Sequence, residues 1–320
     1  MYPDFSYILH DLFGTSFDNW SSVIKTFGFF LALAFLTAAY CLYLELKRKA
    51  EQGLFVTHST KDEKGAIKQA YPHDRVGDIT MVAAISGLLG AKIFAILESA
   101  DNVTAFFNDP IHTLFSGSGL AMYGGLIGGF IGVYWFVKSK LKMNPIYMMD
   151  AVAPGLIFAY AVGRIGCQMS GDGDWGIIAS AQPTWWFLPD WMWAYDFPRN
   201  VINSSGHTKE IIQGLTAQYN THLVPSVYPT PFYETIMATL IGIFLWSIRK
   251  KLKVHGMLFM LYLVLNGLER FFIEKIRVND KLHAFGLTFT QAELIAVLLV
   301  LIGIVGGVIL YQKDKNKITA

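Results

Sequence analysis

Three side chains in the stretch NGLERFFIEKIRVND have types and spacing suited to chemistry on an anion. Arg270, Glu274 and Arg277 follow one another at intervals of four and three, which on a continuous helix places them on one face. Glu274 can then orient both guanidinium groups and leave N–H donors over for a ligand. A guanidinium fork suits a phosphate, because two parallel N–H groups meet two oxygens. Glu269 stands beside them in the same apolar run, and ionisable groups there are costly unless they face a polar cavity or a partner. A further arginine, Arg164, ends the apolar run DAVAPGLIFAYAV and opens GRIGCQMSGDGDWG, Gly163 to Gly176. The glycines after it permit a tight turn that aims backbone N–H groups and the Asp172 and Asp174 carboxylates toward the same end. Two readings stay open: a salt-bridge stripe that fixes helix packing, or an anion site. Arginines that outnumber their local carboxylate partner favour the anion site.

The elements that must position these groups are apolar. Of 320 residues, 53% are hydrophobic and 16% charged, and the mean hydropathy of +0.39 lies outside the soluble balance. Several apolar stretches are long enough to cross a hydrocarbon core of about 30 Å. The expectation is an all-α polytopic membrane protein of about seven spanning helices, near residues 22–44, 78–98, 119–138, 146–166, 230–248, 256–275 and 290–311. One membrane-embedded domain over 1–320 is expected. Lys/Arg clusters follow the first, third, fifth and seventh stretches (Lys47 to Lys49; Lys138, Lys140 and Lys142; Arg249 to Lys253; KDKNK). By the positive-inside rule those ends are cytoplasmic, which sets the N-terminus outside and the C-terminus inside. The opening MYPDFSYILHDLF lacks a basic n-region, so the first spanning helix is expected to direct insertion.

Residues 167–229 then form a small external cap, whose PTWWFLPDWMWAYDFP reads either as an interfacial aromatic belt or as a substrate grip. The cytoplasmic stretch around KDEKG predicts a hairpin. In AMYGGLIGGFIGVYW the glycines Gly124, Gly125, Gly128, Gly129 and Gly132 lie largely four apart, the small-residue spacing of closely packed helices, with Tyr123 just ahead of them. Basic residues split into small clusters do not suggest nucleic acid. With only Cys41 and Cys167, neither a disulfide framework nor a zinc spacing is present. His283 reads as a loop residue. No nucleotide loop or redox motif is visible, so no cofactor or metal is expected.

Taken together, GLLGAKIFAILE, AMYGGLIGG, GRIGCQMSGDGDWG, PTPFYE and ERFFIEKIRVND, in this order and spacing, resemble the prolipoprotein diacylglyceryl transferases of bacterial inner membranes. The resemblance implies a seven-helix enzyme that moves the diacylglyceryl group of phosphatidylglycerol onto the lipobox cysteine thiol in a preprolipoprotein signal peptide, forming a thioether and releasing glycerol 1-phosphate. It carries over Gly163, Arg164 and Gly166, Arg270, Glu274 and Arg277, and Tyr233 and Glu234, together with Lys92, Gly124 and Gly125 from the two earlier passages. Arg164 and Arg270 are expected to bind the phosphate and stabilise the leaving group, Glu274 to orient the arginines, and the site to face the periplasm. Tyr123 stands where many members have histidine, and Cys167 and Ser170 where they have asparagine. Either Tyr123 hydrogen-bonds the lipid, or the thiol is activated by the arginine field and another residue. The rival classes are a transporter or flippase for an anionic lipid, and a non-catalytic scaffold.

Overall fold

The computed structural model describes residues 1–55, 58–61, 67–115, 121–202, 208–279, 281–284 and 287–319. In chain order the helices are α1 (Phe5–Phe13), α2 (Thr26–Glu51), α3 (Val76–Leu97), α4 (Ala100–Asn108), α5 (Pro110–Phe115), α6 (Met122–Ser139), α7 (Pro145–Ser170), α8 (Thr230–Ile248), α9 (Met257–Glu274) and α10 (Gln291–Thr319). Each of the seven expected apolar stretches carries a helix, with ends shifted by up to eight residues. Among the described residues five helical segments, Thr26–Glu51, Pro72–Leu97, Pro145–Ser170, Thr230–Ile248 and Gln291–Asn316, are long and apolar enough to cross a membrane. Leu36, Leu88, Leu240 and Leu301 on these helices are each more than half exposed, while Arg164, Glu234 and Glu274 are buried. That inversion of the soluble pattern suits lipid as the outer solvent.

Three antiparallel hairpins depart from the all-α expectation: β1 (His58–Lys61) with β2 (Ile67–Ala70), β3 (Lys209–Ile211) with β4 (Thr221–Leu223), and β5 (Lys281–Ala284) with β6 (Leu287–Thr290). The first is the hairpin predicted around KDEKG, of which 62–65 lie outside the described residues. The others have strands of three or four residues, too short for a period of two to stand out. The external cap expected over 167–229 likewise runs partly outside the described residues, at 203–207, as does the third predicted helix at 119–120.

The contacts group the chain into two compact units, Met1–Ala38 with Val152–Ala320, and Ala39–Ala151. In the second unit, α3 and α6 cross through glycine. A Cβ added at Gly90, Gly124 or Gly128 would run into backbone of the facing helix, and one at Gly132 into Ser86. Only glycine allows that approach, and close van der Waals packing is what holds helices together where lipid removes the hydrophobic drive. At the other end of the same unit, Arg48 Nη2 pairs with the buried Glu45 at 2.7 Å.

In the first unit, α7, α8 and α9 bury Ala153, Ile157, Ala161, Ala238, Leu245 and Leu258 against one another. Helix α7 stops at Gly171, whose left-handed φ of 65° suits a C-terminal glycine and whose N–H donates to the Cys167 carbonyl at 3.0 Å. Helix α10 begins with a reciprocal capping box: Glu293 N–H donates to Thr290 Oγ1 at 3.1 Å, and Thr290 N–H to Glu293 Oε2 at 3.0 Å. Beyond α7 the chain builds a small core of Trp175, Phe197, Leu223 and Val227. This core sets the position of the residue before it, Asp174.

Candidate active site

Three guanidinium groups of the first unit converge on Glu234, in the second turn of α8 and with no exposed surface. Its Oε1 accepts from Arg277 Nη1 at 3.0 Å and lies 3.6 Å from Arg270 Nη1. Its Oε2 pairs with Arg164 Nε and accepts from the Tyr160 hydroxyl at 2.8 Å. A fully buried carboxylate is tolerable only with such partners. Tyr160 stands one turn before Arg164 on α7 and also lays its ring under that guanidinium, 5.0 Å from the centroid.

Asp174 forms the second node. Its Oδ2 pairs with Arg164 Nη1, and its Oδ1 accepts from Arg277 Nη2 at 2.5 Å. Burial opposes ionisation of this carboxyl, but Arg164 and then Arg277 outweigh it and hold it down to about 2. Burial first and the Asp174 charge second push the neighbouring Asp172 up. Trp175 is buried directly after it, and the Thr230 hydroxyl donates to the Asp174 carbonyl at 2.6 Å. Gly176 forms an isolated β-bridge with Arg277. A Cβ on Gly176 would meet the Ile276 carbonyl, Tyr228 and Thr230. The turn after Arg164 therefore ends in glycine so that the Arg277 backbone can pass against it.

These contacts correct the expectation that Glu274 orients both arginines of its own stretch. Glu274 Oε2 lies 3.0 Å from Arg270 Nη2, and its Oε1 accepts from Asn279 Nδ2 at 2.5 Å. Helix α9 ends at Glu274, so helical spacing no longer applies three residues later, and Arg277 turns to Glu234 and Asp174 instead. The arginines also do not outnumber carboxylates once α8 and the turn after α7 are included. Arg164, Arg270 and Arg277 face Glu234, Asp174 and Glu274. Even so, Arg270 Nη1 and Arg277 Nε are buried without a hydrogen-bond partner among the described residues. Buried donors of a charged group left unmade are expensive, and their unmet hydrogen bonds suit an arriving anion.

The remaining predicted residues have other settings. The Tyr233 hydroxyl donates to the Met192 carbonyl at 2.7 Å. Gly166 packs against Phe27 and Phe30, whereas Gly163 has open space where a Cβ would stand. Lys92, Tyr123, Gly124 and Gly125 belong to the second unit. There Lys92 is buried on α3, Tyr123 is half-buried in the first turn of α6, and the Ala121 N–H donates to the Ala91 carbonyl at 3.0 Å. Cys167 Sγ and the Asp172 and Asp174 carboxylates lie within 4.8 Å of one another. That donor set does not fit a metal ion, because two guanidinium groups already engage Asp174 and set positive charge against a cation. Tyr160 and Thr230 are site residues not singled out from the sequence, whereas Asp174, expected from the turn after Arg164, stands in the site. The spacing of Tyr160 and Arg164, one helical turn apart in an apolar run, is the signal available for the first.

The model of one family, prolipoprotein diacylglyceryl transferase, matches residues 16–309. The chain belongs to the prolipoprotein diacylglyceryl transferase family. It is 27% identical over 319 residues to the phosphatidylglycerol–prolipoprotein diacylglyceryl transferase 2 of Clostridium perfringens (strain 13 / Type A), covering 97% of this chain and 96% of that one. It is 30% identical over 262 residues to the phosphatidylglycerol–prolipoprotein diacylglyceryl transferase of Clostridioides difficile (strain 630), covering 79% and 87% of the two chains. The enzyme of the same name from Staphylococcus aureus (strain Newman) shares 30% identity over 257 residues, 79% of each chain. Every arginine of the site described above falls within the span that the family matches.

Proposed function

We propose that this chain transfers the diacylglyceryl group of phosphatidylglycerol to the lipobox cysteine thiol of a preprolipoprotein, releasing glycerol 1-phosphate. Family membership supports the reaction. The observation that carries it to named residues is the convergence of Arg164, Arg270 and Arg277, with Arg270 Nη1 and Arg277 Nε buried and without hydrogen-bond partners among the described residues. As the carbon–oxygen bond to phosphate breaks, negative charge grows on that oxygen, and preorganised guanidinium donors stabilise it where it develops. Glu234 and Asp174 hold Arg164 and Arg277 in place beforehand, and Glu274 holds Arg270, so little reorganisation accompanies the reaction.

The enzyme sits in the bacterial inner membrane with about seven spans, α6 and α9 joining the five longer segments. Its N-terminus is periplasmic and its C-terminus cytoplasmic, as the Lys/Arg clusters imply. The site faces the periplasm, beneath a cap formed by 167–229. Within that cap Trp185 and Phe187 are exposed, as aromatics at the headgroup level are.

The test uses purified protein in nanodiscs with phosphatidylglycerol and a lipobox peptide, following peptide mass and glycerol phosphate release. Wild type adds a diacylglyceryl mass, and Arg270→Ala lowers kcat by about 100- to 1000-fold. Lipid and peptide left unchanged by folded wild-type protein refute the reading.

A further inference from the structure

Resting on that reading, we propose that Glu269 is the proton acceptor for the incoming thiol. The carboxylates that hold the arginines are all engaged. Glu234 and Asp174 each use both oxygens on guanidinium or phenol partners, and Glu274 accepts from Asn279 on Oε1 while its Oε2, without a hydrogen bond, is ion-paired with Arg270 at 3.0 Å. A carboxylate clamped by guanidinium groups is a weak base. Glu269 differs from all three. It is 95% buried, and neither of its oxygens has a hydrogen-bond partner among the described residues. Its electrostatic neighbours are Glu234, Arg270, Arg164 and Arg277, with Tyr160 from α7 and Tyr262 from its own helix.

A buried acceptor without a donor is expensive to keep, so the complement of Glu269 is a group that arrives with the substrates. An ionised carboxylate only accepts hydrogen bonds, which excludes the phosphate and selects a donor. The thiol is the reactant that must lose a proton. Displacement at carbon also requires the sulfur to approach from the side opposite the departing phosphate oxygen. Arg270 holds the phosphate, and Glu269, its immediate neighbour on α9, leaves the helix about 100° around the axis, on the face that carries Tyr262 two turns earlier. In the step, the S–H proton passes to the Glu269 carboxylate and the sulfur lone pair forms the bond to the glyceryl carbon. The carbon–oxygen bond electrons leave on the phosphate. The proton returns from Glu269 to the released glycerol phosphate, and both sides balance without a further reactant.

The experiment compares two lipobox peptides, one carrying cysteine and one selenocysteine, whose selenol is already ionised at neutral pH and needs no base. With wild type in phosphatidylglycerol nanodiscs, both gain a diacylglyceryl mass. Glu269→Gln lowers kcat about 100-fold or more on the cysteine peptide and stays within about threefold of wild type on the selenocysteine peptide. Equal loss on both peptides assigns Glu269 to packing or to the hydroxyls of the lipid headgroup and overturns the proposal, as does full activity on cysteine. Should Glu269→Gln fail to fold, Glu269→Asp decides by the same ratio: a larger loss on cysteine than on selenocysteine supports the role, and parallel losses refute it. Wild-type protein that modifies neither peptide removes the transferase reading itself, and this assignment with it.

Discussion

Helices α3 and α6 meet through glycine, whereas α7, α8 and α9 meet through charge. In the first pair glycine faces glycine, and the contact is as close as absent side chains allow. In the second group a buried glutamate gathers three guanidinium groups from α7, from α9 and from the strip after α9. Both solve the same problem, joining helices where lipid gives no hydrophobic drive. Among the described residues the charged junction leaves donors and acceptors over, on Arg270, Arg277, Glu269 and Glu274, and such a remainder distinguishes a site from a seam.

The comparison breaks first at Glu234. Glu234→Ala leaves buried guanidinium groups without their shared anion and is expected to cost about 3–5 kcal/mol. It shows as a large drop in thermal midpoint in detergent together with loss of transferase activity, and a variant that melts like wild type refutes the hub. Next comes the seam. Gly90→Ala places a methyl against Gly124 backbone and should cost about 1–3 kcal/mol by overpacking, with activity falling only as folded protein is lost. Activity lost from fully folded Gly90→Ala protein would instead give the seam a chemical role.

A finer distinction is electrostatic. Asp174 sits at about 2 rather than its ordinary 3.8, so its charge adds stability that is complete above about pH 4 and fades as pH falls through about 2. Melting curves of wild type and Asp174→Asn should differ at neutral pH and converge near pH 2. A gap that stays constant over that range removes the arginine clamp. The smallest effect is expected at Gly163, where a Cβ meets nothing within 4 Å. Gly163→Ala should hold or raise stability by about 0.5–1 kcal/mol, since alanine favours helix. A loss of activity despite that stability would place the lipid against this turn of α7.

Much of the architecture was legible because long apolar runs have few alternatives to helix, and the Gly124 to Gly132 spacing named its packing role directly. The four arginine and glutamate positions at 164, 270, 274 and 277 were legible as well, since charge in an apolar run is conspicuous. Their pairing was not. Reading Arg277 as helical gave it Glu274 as partner, but the helix stops at Glu274, and Glu234, some forty residues earlier in the chain, takes that place. Such a contact leaves no periodic trace. Asp174 was expected at this end, but its partners were hidden for the same reason, because its position depends on a turn stabilised by the distant Thr230 and by the burial of Trp175 against Phe197 and Val227. The short strands at 209–223 escaped because three residues cannot display an alternation.

The bridge between Gly176 and Arg277 bears on how the chain can change length. Lys275 and Ile276 form the turn that closes α9, and Arg277 is pinned to Gly176 by a single bridge immediately after it. Residues inserted between Glu274 and Arg277 would carry the guanidinium past Glu234 and Asp174. The length of this corner is therefore fixed at both ends, and one-, two- and three-residue insertions after Ile276 should each abolish activity; an insertion variant as active as wild type refutes that constraint.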